Sequence, residues 1–380
     1  MVLMNNFQNT FANHLFLKSA LSKEGKYKST SEIINWLDEH KNNFNISVLP
    51  CPLKNIDSWI YDEVKGCISH KSSKFYTIEG IKVSSNCFEL GEWWQPIIVQ
   101  PEIGYLGIIT KEFDGVLHFL LQAKIEPGNV NHVQLSPTLQ ATRSNYTQVH
   151  KGREPLYLDY FRNAKPEQIL VDQLQSEQGG KFLRKRNRNI IIKIDEDISS
   201  QDQFTWLTLS QIKRLMQYDN LVNMDTRSVI SCCTFGNHEV KVIDLIDFFL
   251  SYSGSNPHNQ KILKSALDSE SSLHSIDGII AFLTQIKSRC DLIVERVKLE
   301  ELTNWIVDKM EIRHQDEEYF KESYLTEEDP IARFNRNFML DILSRYRHSI
   351  KRMENLQLAM FCLILIQIIL TATMLLVFPY

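Results

Sequence analysis

A chain of 380 residues, 43% hydrophobic and 23% charged, is long and apolar enough for two ordinary folded domains, and its composition excludes disorder as the default. Its 42 basic against 46 acidic residues leave a net charge of -4, which removes the general electrostatic reason to expect nucleic acid. Seven cysteines are scattered with no C-x-x-C pair, so zinc-ribbon spacing is absent and a reducing compartment is expected. The first twenty residues lack a basic region followed by an apolar core, so no signal peptide is expected.

Ser29 and Glu32 form a capping box, and Ile33, Ile34 and Leu37 follow at helical spacing, which predicts a helix over residues 31–41. A strand is expected over 45–50. Trp59 follows in the pattern L-x-x-I-x-x-W, where a lone tryptophan is usually core. Trp93 and Trp94 open the next apolar stretch, with at least one ring expected in the core. Residues 105–110 and 116–126 read as strands joined by a turn at 111–115, where Asp114-Gly115 supplies the positive-φ pair. In the second strand Leu117, Phe119, Leu121, Ala123 and Ile125 share one face. His118, Leu120, Gln122, Lys124 and Glu126 share the other. That face reads either as the wall of a polar pocket or as a sheet surface in water. Residues 134–150 form a loop rich in hydroxyls and amides with Arg143 as its one cation, long enough to suggest more than a connection.

Residues 173–180 read as a breaker segment after a helix. The basic run 181–189 reads as a solvated edge, with a phosphate contact as the alternative, and 190–194 as a strand. Thr208 and Gln211 form a second capping box ahead of the stripe Leu209, Ile212, Leu215 and Met216. Asp225 is a candidate N-cap, and Asp244 and Asp247 read as surface acids without a metal pattern.

The strings WWQPI (93–97), EFDGVLHFLLQAKIEPGN (112–129), QLSPTLQATRSNY (134–146), KFLRKRNRN (181–189) and DNLVNMDTRSV (219–229) resemble the NDP-hexose 2,3-dehydratase family. The resemblance spans roughly residues 11–320. It implies elimination of water across C2 and C3 of dTDP-4-keto-6-deoxyglucose, without an external cofactor or metal, and a downstream ketoreductase that consumes the labile product. It also implies an α+β architecture of two tandem Nudix-like copies and a homodimer if the second copy folds. The acidic Nudix helix is missing from both copies, so no metal-dependent pyrophosphate hydrolysis is expected. The resemblance places ligand contacts on Trp59, where thymine would stack, and on Thr142, Arg143, Ser144, Asn145, Tyr146 and Ser176. Trp305, which answers Trp59 in the second copy, joins them. A guanidinium suits a pyrophosphate through paired, charge-assisted hydrogen bonds. For the chemistry, strand alternation offers His118, Lys124 and Glu126, and the loop offers Tyr146. Glu126 or His118 would be the base, and Lys124 or Tyr146 the enolate donor or acid.

Residues 275–321 repeat 31–76: a helix at 279–287, the pattern L-x-x-L-x-x-W-I at 299–306, Asp308 for Asp62 and His314 for His70. No second QAKIEPG or TRSNY appears in the 380 residues. The expected division is therefore a first Nudix-like domain (1–200), a helical linker (201–270), a truncated second repeat (271–322) and a divergent tail (323–380). Residues 356–378 carry no charge and follow Arg345, Arg347, Lys351 and Arg352. As a helix they are a candidate membrane span that would tether an otherwise cytoplasmic protein, or else a helix buried in a partner or in the truncated second copy, or the product of a gene rearrangement. Two functions remain open from sequence: a working lyase, or a truncated, inactive sugar-nucleotide-binding remnant. Nucleic-acid binding through 181–188 is disfavoured.

Overall fold

The computed structural model describes residues 2–44, 46–86, 91–142, 154–199, 201–235, 275–308 and 310–315, with side chains from Ala12 onward except that of Ile276. Helix α1 (Val2–Leu21) is followed by α2 (Thr30–Asn43), whose start is fixed by the expected capping box. Glu32 N–H donates to Ser29 Oγ at 3.3 Å, and Ser29 N–H donates to a Glu32 carboxylate oxygen at 2.7 Å. Ile33, Trp36 and Leu37 point inward, each burial stabilising by roughly 1.5–3 kcal/mol. The strand expected over 45–50 does not form: residues 46–52 are extended but take no ladder partner among the described residues.

A first sheet is built from β1 (Trp59–Asp62), β2 (Cys67–His70), β3 (Thr77–Ser85) and β4 (Glu92–Val99). Trp93 and Trp94, both on β4, pack half-buried against two separate small apolar clusters. The second sheet begins with the hairpin of β5 (Gly104–Phe113) and β6 (Val116–Ile125), which turns at Asp114 and Gly115 with φ of 51° and 73°. Then come β7 (Val133–Ser136), β8 (Leu139–Ala141), helix α3 (Leu158–Arg162), β9 (Ile169–Ser176), β10 (Arg186–Lys193) and β11 (Phe204–Thr208). The order is β11-β6-β5-β10-β9, with β7 on β6 and β8 on β5. Among the described strands only β5 and β10 run parallel. Helix α4 (Leu209–Leu215) begins at the Thr208–Gln211 capping box, and α5 (Met224–Ser231) at Asn223.

Both faces of this sheet are covered. Leu117, Phe119, Leu121 and Ile191 pack under α1, α2, α4 and α5. Ile109, Leu120, Ile190 and Ile192 pack under Leu158 and Phe161 of α3, with Trp206 beside them. The approach is so close that a Cβ on Gly107 would lie 2.4 Å from the Phe161 ring, so only glycine fits there. Three expectations are corrected. The second face of β6 is not a continuous polar wall, because Leu120 is fully buried beneath this second layer and His118 is 2% exposed, in contact with Phe113 and the Lys26 backbone. Residues 169–176, expected to hold a helix and a breaker, form β9, an edge strand whose ladder partner β10 lies farther along the chain. Residues 204–231, expected within a linker, complete the sheet and its cover.

Helix α6 (Ile276–Arg289) opens the repeat, followed by β12 (Leu292–Val297), β13 (Trp305–Val307) and β14 (Ile312–His314). The repeat is structural. Ser29 and Ser275 cap the two helices. Ser58 and Asn304 adopt φ of 64° and 65° just before each tryptophan. Trp59 opposes His70 and Trp305 opposes His314, with ring centroids 5.6 and 5.3 Å apart and near-perpendicular planes. β12 does not stay with its own hairpin but pairs antiparallel with β3 of the first sheet. The architecture is α+β. Among the described residues no helix is long and apolar enough to cross a membrane, and the run 356–378 lies outside them. Cys51, Cys67, Cys232 and Cys233 are free thiols, but Cys290 is disulfide-bonded, against the expectation of reduced cysteines throughout.

Candidate functional site

The polar groups of the second sheet gather where β6 runs out, β7 and β8 attach, and α5 starts. Lys124 and Glu126 sit on the same side of β6 and form an ion pair at 3.1 Å, both about a quarter exposed. Gln140 on β8 donates to the Glu126 carboxylate at 2.9 Å. Asn223 donates to Ser136 Oγ at 2.8 Å and reaches the Gln140 carbonyl at 3.4 Å, while its own carbonyl accepts from Thr226 N–H at 2.8 Å. The residue that caps α5 therefore also braces the Gln140 amide that orients Glu126.

Asp225 lies in the first turn of α5, within electrostatic reach of Glu126, Lys124 and Glu177. Burial, followed by the negative charges of Glu177 and Glu126, pushes its carboxyl up to about 6 against the opposing pull of Lys124. Glu177 is held by the Asn187 side-chain amide, and Asn187 neighbours Gly104 on β5. Three carboxyl groups, of which Asp225 is raised by burial, and one ammonium thus share one end of the sheet. Such a set can take a proton from carbon and give one to a leaving oxygen. Among the described residues no three His, Cys, Asp or Glu side chains come together closely enough to share a metal ion.

Of the expected catalytic residues, Lys124 and Glu126 are brought together and His118 is not. It stands six residues back along β6, roughly 20 Å away. Its Nδ1–H donates to the Val116 carbonyl at 2.8 Å, and its Nε2 accepts from Lys26 N–H at 3.0 Å. Burial holds its basicity below the usual range, so it is a neutral brace between hairpin and N-terminal segment. His118→Phe should cost about 1–3 kcal/mol by stranding the Lys26 amide, read by urea unfolding, with turnover per folded molecule unchanged. A large loss of turnover in fully folded protein would return His118 to the chemistry.

Trp305 is also corrected. It is 6% exposed inside a core with Leu299, Leu302 and Ile312, and its indole N–H donates to the Trp94 carbonyl at 2.8 Å. Trp59 is half-buried on the first sheet against His70, Phe75 and Tyr76. Thr142 directly follows β8, and Ser176 is exposed at the end of β9, next to Glu177. Arg143, Ser144, Asn145 and Tyr146, and the acids Asp244 and Asp247, lie outside the described residues. The basic run 181–189 is not a plain solvated edge. Lys185 is buried and donates to the Glu102 carbonyl, and Arg188 makes a two-pronged pair with Asp172 at 2.7 and 2.6 Å. Asp225 is not the N-cap, a role that Asn223 takes. Sequence reading missed Asp225, Glu177, Gln140 and Asn223. All but Glu177 lie in strings that had been singled out, but capping logic accounted for Asp225.

The family model described as NDP-hexose 2,3-dehydratase matches residues 30–233, which contain the whole constellation. The chain belongs to that family. Among curated members, it is 41% identical over 308 residues to a dTDP-4-dehydro-6-deoxy-alpha-D-glucopyranose 2,3-dehydratase of Amycolatopsis orientalis, covering 80% of this chain and 59% of that protein. A protein of the same name from Saccharopolyspora spinosa is 41% identical over 308 residues, at 80% and 61% coverage. One from Streptomyces violaceoruber is 43% identical over 197 residues, at 52% and 44%. The chain thus spans about three fifths of the length of the first two family members. Among solved structures, the C. elegans Ap4A hydrolase aligns with a TM-score of 0.21 at 13% identity, over 40% of this chain and 98% of that one. An ADP compounds hydrolase aligns with a TM-score of 0.26 at 12% identity, over 56% and 99%. Overlap of that order carries no argument about this family member.

Proposed function

We propose that this chain binds dTDP-4-keto-6-deoxyglucose and eliminates water across C2 and C3. The observation that carries the reading is the Lys124–Glu126–Gln140 constellation within electrostatic reach of the half-buried Asp225 carboxyl. Glu126, oriented by Gln140, removes the proton from C3, which the neighbouring C4 ketone acidifies. The electron pair moves to the C4 oxygen, where the Lys124 ammonium steadies the enolate. Collapse of the enolate re-forms the C4 carbonyl, makes the C2–C3 double bond and breaks the C2–O bond. Asp225, protonated in part near neutrality, gives its proton to the departing hydroxyl, which leaves as water. The resulting enol relaxes to a 3,4-diketo-2,6-dideoxy sugar, to be consumed by a ketoreductase. The segment from Thr142 to Tyr146 holds the pyrophosphate through Arg143, starting beside Gly104 and Asn187 at the same end of the sheet. The sheet unit, layered between helices on both faces, is read as Nudix-like.

Incubation of the purified chain with dTDP-4-keto-6-deoxyglucose in heavy water tests the proposal. Deuterium at C3 of recovered substrate, and release of a 2-deoxy product carrying solvent deuterium at C2, are expected. One other reading is a unit that binds the sugar nucleotide without converting it. Saturable binding with no exchange at C3 would select that reading.

A further inference from the structure

We propose that a cleft between the α1–α2 link, the turn end of β5 and the start of β11 binds a small aromatic carboxylate, one ring with a short acidic arm. The cleft has a volume of about 190 Å3. Tyr27, Phe113, Phe204 and Trp206 supply its apolar walls, and Lys28 and Lys111 its cations. It lies away from the candidate catalytic set: Lys111 stands opposite His118 in the ladder, roughly 20 Å from Lys124. Residues 107, 109, 111 and 113 share one face of β5. Helix α3 covers that face at Gly107, but none of its residues lines the cleft. The rings there are already set for another ring. Tyr27 stands edge-on to Phe113 at 5.0 Å, and Phe113 edge-on to Trp206 at 5.2 Å. Phe204 and Trp206 are buried and fixed by the ladder to β6, whereas Tyr27 is 54% exposed. A ring entering at the mouth would cover Tyr27 and meet preset edges and faces.

The charge in the cleft specifies the arm. The Lys111 side chain is only 12% exposed, and its ammonium lies 5.6 Å from the centre of the Phe113 ring, so most of its water is gone. Its hydrogen-bond partner among the described residues is Asp197 at 2.6 Å, a carboxylate that is 99% exposed. A carboxylate that stays in water is held loosely. Asp195, also within electrostatic reach, is tied to Lys193 at 2.8 Å. Asp197 is therefore a detachable stand-in for an anion arriving from solvent. A ligand carboxylate would take its place on Lys111, with Lys28 as the second cation, while the attached ring settles among Tyr27, Phe113 and Trp206. Neither half suffices alone: a neutral ring leaves the ammonium on Asp197, and a bare anion leaves the rings uncovered. The volume is below the roughly 300 Å3 of sites that enclose drug-sized ligands, so a sugar nucleotide does not fit.

The probe is phenylacetate, titrated into the full 380-residue chain by calorimetry. Saturable 1:1 binding is expected, with 2-phenylacetamide (same shape, no charge) and cyclohexylacetate (same charge, no aromatic ring) each about tenfold weaker or worse. Lys111→Met should weaken phenylacetate by about tenfold or more. Asp197→Asn should do the opposite and tighten it by about tenfold, because the competing carboxylate is gone. The Asp197 side chain is in water, so the thermal midpoint of that variant should match the parent's, and the test stands even where Lys111→Met fails to fold. The proposal is overturned by no saturable binding, by either control binding as tightly as phenylacetate, or by an affinity that Asp197→Asn leaves unchanged or weakens. It is equally overturned if dTDP displaces the bound phenylacetate, which would put the probe in a nucleotide site instead. No readout uses turnover, so failure here leaves the dehydration reading untouched.

Discussion

Glu126→Gln is expected to leave sugar-nucleotide binding nearly intact and to slow C3 proton exchange by about 100- to 10,000-fold, the span ascribed to a positioned base. The substitution keeps the size of the side chain and can still accept from the Gln140 amide at its carbonyl, so the local frame survives. It removes the basic oxygen and leaves the Lys124 ammonium without its counter-charge. Measurement of deuterium uptake at C3, in parallel with equilibrium binding, separates chemistry from recognition. Uptake at the parental rate would show that another group takes the proton and would end the assignment. Gln140→Leu is the companion variant: with the base present but unbraced, a smaller loss is expected.

Asp225→Asn should separate activity from stability in opposite directions. Loss of the acid should lower turnover by about 100-fold or more, because the 2-hydroxyl departs without a proton. The folded state holds the Asp225 carboxyl up at about 6, against a reference of 3.8. A raised acid binds more protons folded than unfolded, so stability is full below the unfolded value. It falls as pH climbs from about 4 to about 6 and is level above that. At pH 7 the ionised carboxylate therefore costs the fold on the order of 1–3 kcal/mol. The amide escapes that cost. The variant should unfold at a higher temperature than the parent at pH 7, and the difference should vanish below about pH 4. For the parent, turnover should fall as pH rises through about 6. A variant that is inactive and also less stable at pH 7 would mean that Asp225 is a structural acid.

The parts of this molecule that could be read from the chain were those decided within a few residues. Ser29 with Glu32 and Thr208 with Gln211 fix helix starts through contacts three positions apart, and Asp114-Gly115 fixes a hairpin by backbone conformation alone. The repeat was legible because each copy carries its own tryptophan–histidine pairing. What stayed hidden depended on distant partners. Alternation along β6 could not show that α3 would lie over Leu120, or that His118 would be buried beside Phe113 and the Lys26 backbone. Residues 169–176 became an edge strand only because β10 supplies its ladder. Lys124 and Glu126 were found from side-chain direction, whereas Asp225 arrives from a helix some hundred residues later and was assigned a cap that its neighbour Asn223 makes instead.

The ladder between β5 and β10 sets the order in which the chain can mature. Asn187 sits opposite Gly104, and Phe204 opposite Gln122, so neither central seam can close until more than eighty further residues have been made. The margin of β3 waits longer still, since Leu292 is the partner of Ser85. Such remote closures place this chain among slow folders, acquiring its structure over milliseconds to seconds. During synthesis β3 stands uncapped on one side for some two hundred residues, an open edge of the kind through which nascent chains aggregate.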